Sequence, residues 1–286
     1  MSRIERRFRE PLASLNMLKR LFVGRPISTH AEHHHRLSKR VALAVLSSDA
    51  LSSSAYATDE ILLVLALAGS GLLGLSIPIA LAVVSVLTVV IISYRQTVRA
   101  YPQGGGAYRV AHDNLGRAPG LIAASALLVD YVLTVSVSTA AGIAAIGAAF
   151  PGLRQHRSVA AVTIVALIAL LNLRGLKESG RIFAVPTYGF LIAMGITIAT
   201  GAFRVATGNY SALPPPEIEP ERTLSLFLVL RAFASGSTAL TGVEAISDGV
   251  PAFKPPESKN AATTLLVLGV LLAFLFLGIT FLANVY

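Results

Sequence analysis

Three sets of oxygen-bearing side chains lie inside stretches that are otherwise apolar enough to cross a bilayer: Asp49, Ser52, Ser53 and Tyr56; Asp130, Thr134 and Ser138; and Thr241, Glu244 and Asp248. The second set is spaced i, i+4, i+8 and the third i, i+3, i+7, so each predicts one polar face of a helix. The first set would do the same if its helix persisted. Hydroxyl and carbonyl oxygens can replace the hydration shell of a hard monovalent cation. A carboxyl beside them can carry a proton whose affinity rises with burial and falls next to a cation, which is a way to couple proton and cation movement. The alternative for Ser52, Ser53, Ser138 and Thr238 is plain hydrogen bonding to backbone or to neighbouring helices. Asp49, Asp130 and Glu244 are harder to dismiss, because charge in hydrocarbon is expensive.

Two of the stretches, residues 41–68 and 223–250, are interrupted by polar runs, Ser47–Thr58 and Ala234–Glu244. In lipid, non-helical backbone survives only where protein covers it or where it lines a cavity. Paired interruptions therefore predict a binding site near the bilayer midplane, between two broken helices. The first run contains no glycine. Carriers of amino acids hold the substrate carboxylate on free N–H groups at glycine-rich breaks, where a half-helix dipole favours an anion. An acid with several hydroxyls suits a cation better, although Gly236 and Gly242 in the second run keep an amino acid or polyamine substrate open.

The elements that must position these residues are membrane helices. Hydrophobic residues make up 54% of the 286-residue chain and charged residues 14%, and the mean hydropathy is +0.68, which excludes a soluble globular protein. Apolar runs and breakers predict an all-α membrane protein with seven spans, about 41–68, 76–94, 119–149, 158–173, 182–204, 223–248 and 261–285. Cysteine and tryptophan are absent, so disulfides and thiolate metal sites are excluded. No nucleophile, base and orienting group occur together, so an enzyme is not expected, and no cofactor is implied. The net charge of +9 does not mean nucleic acid, because Lys and Arg sit between the spans rather than on one face. An N-terminus in the cytoplasm places nineteen Lys and Arg inside against four outside, with Arg231 left within the sixth span, as the positive-inside rule requires of a multi-pass protein of the cell membrane.

Residues 1–40 form a basic leader in which Ile4, Phe8, Leu12, Leu15, Leu18 and Phe22 recur at near-helical spacing. That pattern predicts an amphipathic helix on the inner leaflet or, equally, a disordered basic tail. His30, His33, His34 and His35 belong to this leader and read as solvated residues rather than as metal ligands. Gly104-Gly105-Gly106 is a tight turn between helices and not a phosphate loop, since no Gly-Lys-Ser/Thr follows it. Read as an inverted repeat, residues 41–208 form a first five-helix unit and 223–286 the first two helices of an incomplete second unit. The chain is then expected to be a fragment or truncated product, inactive alone.

The run Leu46–Thr58 resembles the first transmembrane motif of KimA-type potassium importers, in the potassium-uptake branch of the amino acid–polyamine–organocation superfamily. The resemblance continues in Tyr94–Thr97, Tyr101–Tyr108, Asp130–Ser138 and Thr241–Pro251, and covers nearly everything after Leu37. It implies a LeuT-like fold with broken helices 1 and 6, and proton-coupled potassium uptake. By that resemblance Tyr56, Thr134, Ser138 and Thr241 would contact potassium, while Asp49, Asp130 and Glu244 would serve proton coupling or gating. It further implies additional helices and a C-terminal domain, with a homodimer for the full-length protein. Three readings stand: a potassium/proton symporter, an amino acid or polyamine permease, and a non-transporting membrane fragment.

The charge distribution makes a direct prediction in this cysteine-free chain. A single cysteine at Ser211 should react with an impermeant thiol reagent added outside, and one at Lys177 only from inside. Labelling of position 177 from outside would sink the orientation.

Overall fold

A computed structural model describes residues 36–173, 176–211 and 218–286. The leader up to residue 35, with its expected amphipathic helix and histidines, and the proline-rich run 212–217 lie outside the described residues. What is described is helical: α1 (Lys39–Leu46), α2 (Ser48–Ala66), α3 (Ser76–Ala100), α4 (Gly106–Leu115), α5 (Arg117–Ala149), α6 (Arg157–Asn172), α7 (Leu176–Ala206), α8 (Leu226–Gly236), α9 (Ala245–Asp248) and α10 (Glu257–Val285), with short 3-10 turns between some of them.

Local chemistry sets several of the boundaries. The α3 helix stops at Tyr101, whose neighbour Pro102 disfavours helical backbone before it. Gly116 takes φ +97° between α4 and α5. Ser225 caps α8 by accepting a hydrogen bond from the Leu228 N–H at 3.3 Å. Pro255 and Pro256 separate the sixth span from α10.

Five segments are long and apolar enough to cross a membrane: Ser70–Ala100, Arg117–Ala149, Ile182–Ala206, Leu226–Asp248 and Glu257–Val285. Two of the seven expected spans fall short of that measure. Helix α2 carries Asp49, Asp59 and Glu60 within its 19 residues, and α6 is a 16-residue apolar helix.

The two expected interruptions come out differently. In the first, the helix is broken at Ser47 alone, and residues 48–66 run on as one helix through the polar stretch that sequence reading took for a break. The Ser47 N–H still donates to Leu43 O at 3.1 Å, and the Leu51 N–H to Ser47 O at 2.9 Å. The serines do not unwind the helix, because they turn back on it: Ser52 donates to Asp49 O at 2.9 Å and Ser54 to Leu51 O at 2.7 Å. The second interruption is real. After α8 come a 3-10 turn (Ser237–Leu240), an extended Thr241 and a left-handed Gly242 at φ +79°, before helix resumes at Ala245. Thr241, Glu244 and Asp248 therefore do not share one continuous helical face.

The first and sixth spans run antiparallel and are tied at both ends. At one end the Leu37 N–H donates to Ala252 O at 2.7 Å and the Lys254 N–H to Leu37 O at 3.0 Å. Leu37 and Phe253 are buried there, beside an Arg36–Glu257 ion pair. At the other end the Arg222 N–H donates to Leu67 O at 2.9 Å. Between these ties α2 packs along α8 and the 3-10 turn. Helix α10 wedges against α3 and α2 through Leu265, Leu268, Leu272 and Leu275, spaced three or four apart, and through Phe276 beside them. It adds a buried hydrogen bond between Thr58 and Thr280 at 2.8 Å. Helix α7 holds α1 by its backbone: Tyr188 OH donates to Arg40 O at 2.9 Å and Thr187 Oγ1 to Ala44 O at 3.3 Å.

Two phenylalanines on α10 test this packing. Phe276 is 1% exposed and Phe274 is 50% exposed. Phe276→Ala should destabilise the fold by about 3–5 kcal/mol, and Phe274→Ala by under about 1 kcal/mol. Thermal unfolding of the two purified variants in one detergent checks the order.

Candidate functional site

The polar centre forms where α2 faces the sixth-span break. Ser53 projects from the buried side of α2, with its Oγ 2.9 Å from Tyr56 OH and 3.0 Å from Thr241 Oγ1. Thr241 itself donates to Thr238 O at 2.8 Å. A hydroxyl carries one proton, so the three contacts fix a direction: Tyr56 donates to Ser53, Ser53 to Thr241, and Thr241 to a carbonyl. Each of the three oxygens then keeps a lone pair free to accept from, or coordinate, a cation.

Asp49 stands in the first turn of α2, where the helix N-terminus favours a carboxylate. Its Oδ1 accepts a hydrogen bond from Ser138 on α5 at 3.5 Å. Its Oδ2 lies against Gly242, where a Cβ would come within 2.6 Å of that oxygen and 2.9 Å of Ala50 N. Glycine at 242 thus serves two needs, the left-handed backbone and the close approach of the sixth span to the start of α2.

Glu244 follows the break. It is 8% exposed, and its Oε1 has no hydrogen-bond partner. Asp49, Asp130 and Asp248 all lie within electrostatic reach of it. Five buried side-chain polar atoms are unpartnered among the described residues, and four of them, on Ser47, Glu244, Ser247 and Asp248, sit at or beside the two interruptions. Buried polar groups in native proteins are nearly always paired, so this concentration singles out the interruptions as candidate functional positions. No three His, Cys, Asp or Glu residues converge as a metal cluster among the described residues, which leaves a hydroxyl-rich centre with carboxyls around it.

Of the seven residues singled out from sequence, the structure brings Tyr56 and Thr241 together through Ser53, and Ser138 onto Asp49. Asp130 stands close enough to feel the charges of Asp49 and Glu244. Thr134 is half-buried on α5, one turn before Ser138, and no hydrogen bond links it to the Ser53–Thr241 contact. Ser52 turns away to its own helix. Sequence reasoning put Ser52 and Ser53 on the polar face without choosing between them, and the structure selects Ser53 as the hinge of the hydroxyl chain. Sequence reasoning gave no role to Tyr131, whose OH donates to Asp248 Oδ2 at 2.7 Å. Tyr131 lies just off the Asp130–Thr134–Ser138 stripe, and only tertiary packing points it at the sixth span.

Residues 39–285 match a family model described as amino acid permease. Over 272 residues the chain is 50% identical to the potassium transporter KimA of Bacillus subtilis (strain 168), an alignment that covers 94% of this chain and 45% of that protein. The chain thus spans about half the length of the curated relative it matches. The residues matched include both interrupted spans and the polar centre between them, and the chain belongs to the amino acid permease family.

Proposed function

We propose that the intact protein imports potassium together with protons across the cell membrane, with its N-terminus in the cytoplasm, and that this chain supplies the ion-binding half. The observation that carries the reading is the Tyr56–Ser53–Thr241 hydroxyl chain across two interrupted spans, whose free lone pairs suit a weakly hydrated monovalent cation. Tyr56, Thr134, Ser138 and Thr241 are the proposed potassium contacts. Asp49, Asp130 and Glu244 are the proposed proton-coupling or gating carboxyls. Potassium and protons are cargo in this scheme, and no cofactor takes part. The identity to a protein named for potassium transport supports it.

The start of α2 argues against a substrate carboxylate. The N–H groups there would be the natural anion seat of a broken helix. Asp49 already places its own carboxylate on that turn, and the backbone of Gly242 closes over Ala50 N. An incoming carboxylate would meet the like charge of Asp49 there. The antiparallel first and sixth spans, tied at both ends, fit a LeuT-like inverted repeat with units 41–208 and 223–286. A homodimer of the full-length protein in the lipid bilayer belongs to the same proposal. The family description leaves an amino acid or polyamine as the second reading.

Restored growth at low potassium, in a host lacking its own potassium uptake, is the result expected of the intact protein. Failure there, together with uptake of a labelled amino acid, would favour the permease. Glu244 gives a sharper test, since Gln keeps its shape and hydrogen-bonding capacity while removing titration. In Glu244→Gln, potassium binding should persist while uptake driven by an imposed pH gradient collapses to the level of protein-free vesicles. Unchanged proton-driven uptake would remove Glu244 from the mechanism and leave Asp49 and Asp130.

A further inference from the structure

A second polar contact lies at the end of the sixth span, away from the hydroxyl chain. Tyr131 OH donates to Asp248 Oδ2 at 2.7 Å and so joins α5 to α9 across 117 residues of sequence. Within the described residues α5 packs mainly on α4, its neighbour in sequence, and Ser138 on α5 also donates to Asp49 at 3.5 Å.

The same aspartate is gripped from another side by the glycine turn. The Gly105 N–H donates to Asp248 O at 3.4 Å. A Cβ at Gly106 would run into the Asp248 carboxylate, and one at Gly104 would come within 2.8 Å of Pro251 Cδ. All three glycines have positive φ, so the turn presents bare backbone to Asp248. Two polar atoms at this junction nevertheless have no partner: Asp248 Oδ1 and the Oγ of Ser247, a residue only 1% exposed. A contact built only for stability would have satisfied both.

We infer that Asp248 is the keeper of an inner gate: the Tyr131–Asp248 hydrogen bond holds α5 closed over the central site against the Gly104–Gly106 turn, and the path to the cytoplasm opens when that bond breaks. On opening, water reaches Asp248 Oδ1 and Ser247 Oγ and supplies the bonds they lack in the closed form. One hydrogen bond to a charged group is strong enough to hold such a wall and weak enough to release within a transport cycle. Asp248 and Tyr131 are in this scheme positioning residues, which set the accessibility of the site without binding cargo. The inference rests on the transport reading only for the existence of a cycle and for which face is inside.

The test needs no transport measurement. In the intact protein, with any cysteine outside these 286 residues replaced by serine, Thr134→Cys places a thiol one turn beyond Tyr131 along α5, behind the gate. Its reaction with an impermeant thiol reagent is followed from each face of sealed vesicles. Tyr131→Phe should speed labelling from the Asp248 face by about tenfold, the population shift that follows loss of one such bond, with no rise from the opposite face. Asp248→Leu should do the same, and the double variant should add nothing further. Asp248→Asn keeps an acceptor for the tyrosine and should stay within about threefold of the parent. Should Tyr131→Phe fail to fold, Gly106→Ala, which displaces the carboxylate while sparing both polar side chains, must give the same one-sided rise. A change below about twofold in the variant that folds, or labelling that rises equally from both faces, overturns the gate. A chain that carried an amino acid instead of potassium would still show the one-sided rise, so the two readings fail separately.

Discussion

The approach of Gly242 to the first turn of α2 is the constraint on which the rest of the structure depends. A backbone without a side chain lets the sixth span lie directly against Asp49 and the Ala50 N–H, and that closeness sets Thr241 at hydrogen-bond distance from Ser53. The ties at Leu37–Phe253 and Leu67–Arg222 hold the two spans in register, so the contact between them is not free to slide. Helix α10 and α3 then pack around this pair and bury its apolar sides.

Polar groups are distributed unevenly over this frame, and the unevenness follows from the solvent. Away from the centre, hydroxyls on the membrane helices mostly bond to a carbonyl one turn back, as Ser85, Thr88, Ser125, Ser136 and Thr163 do. Such a bond costs the helix little and hides the group from hydrocarbon. At the centre the pattern reverses. Hydroxyls meet other hydroxyls across helices, carboxyls approach one another, and several buried atoms are left without partners. That cluster is kept in place because the surrounding helices leave it nowhere to relax.

Buried apolar contacts are shared unevenly among the helices. The paired first and sixth spans with α3 and α10 share the buried apolar clusters. Helix α5 lies outside them, held to them by hydroxyl-to-carboxylate bonds. Helix α10, by contrast, could not move without breaking interdigitated leucines.

Sequence alone determined that the chain is a helical membrane protein, because apolar runs of bilayer length separated by basic loops have no other stable outcome. It also located the sixth-span break, where Gly236 and Gly242 flank a polar run, and the glycine turn at 104–106. It picked out Asp49, Asp130 and Glu244, since charges in hydrocarbon stand out by composition. Tertiary structure decided the rest. Ser47–Thr58 looked like an interruption because serine is common in breaks, yet each hydroxyl could also bond back to its own helix. Only the packing against Thr241 shows that Ser53 faces the centre while Ser52 does not. Tyr131 and Asp248 could not be paired from spacing, because residues 117 apart meet only through the fold. Periodicity describes which face of a helix a residue occupies, and the direction of that face is set by the helices around it.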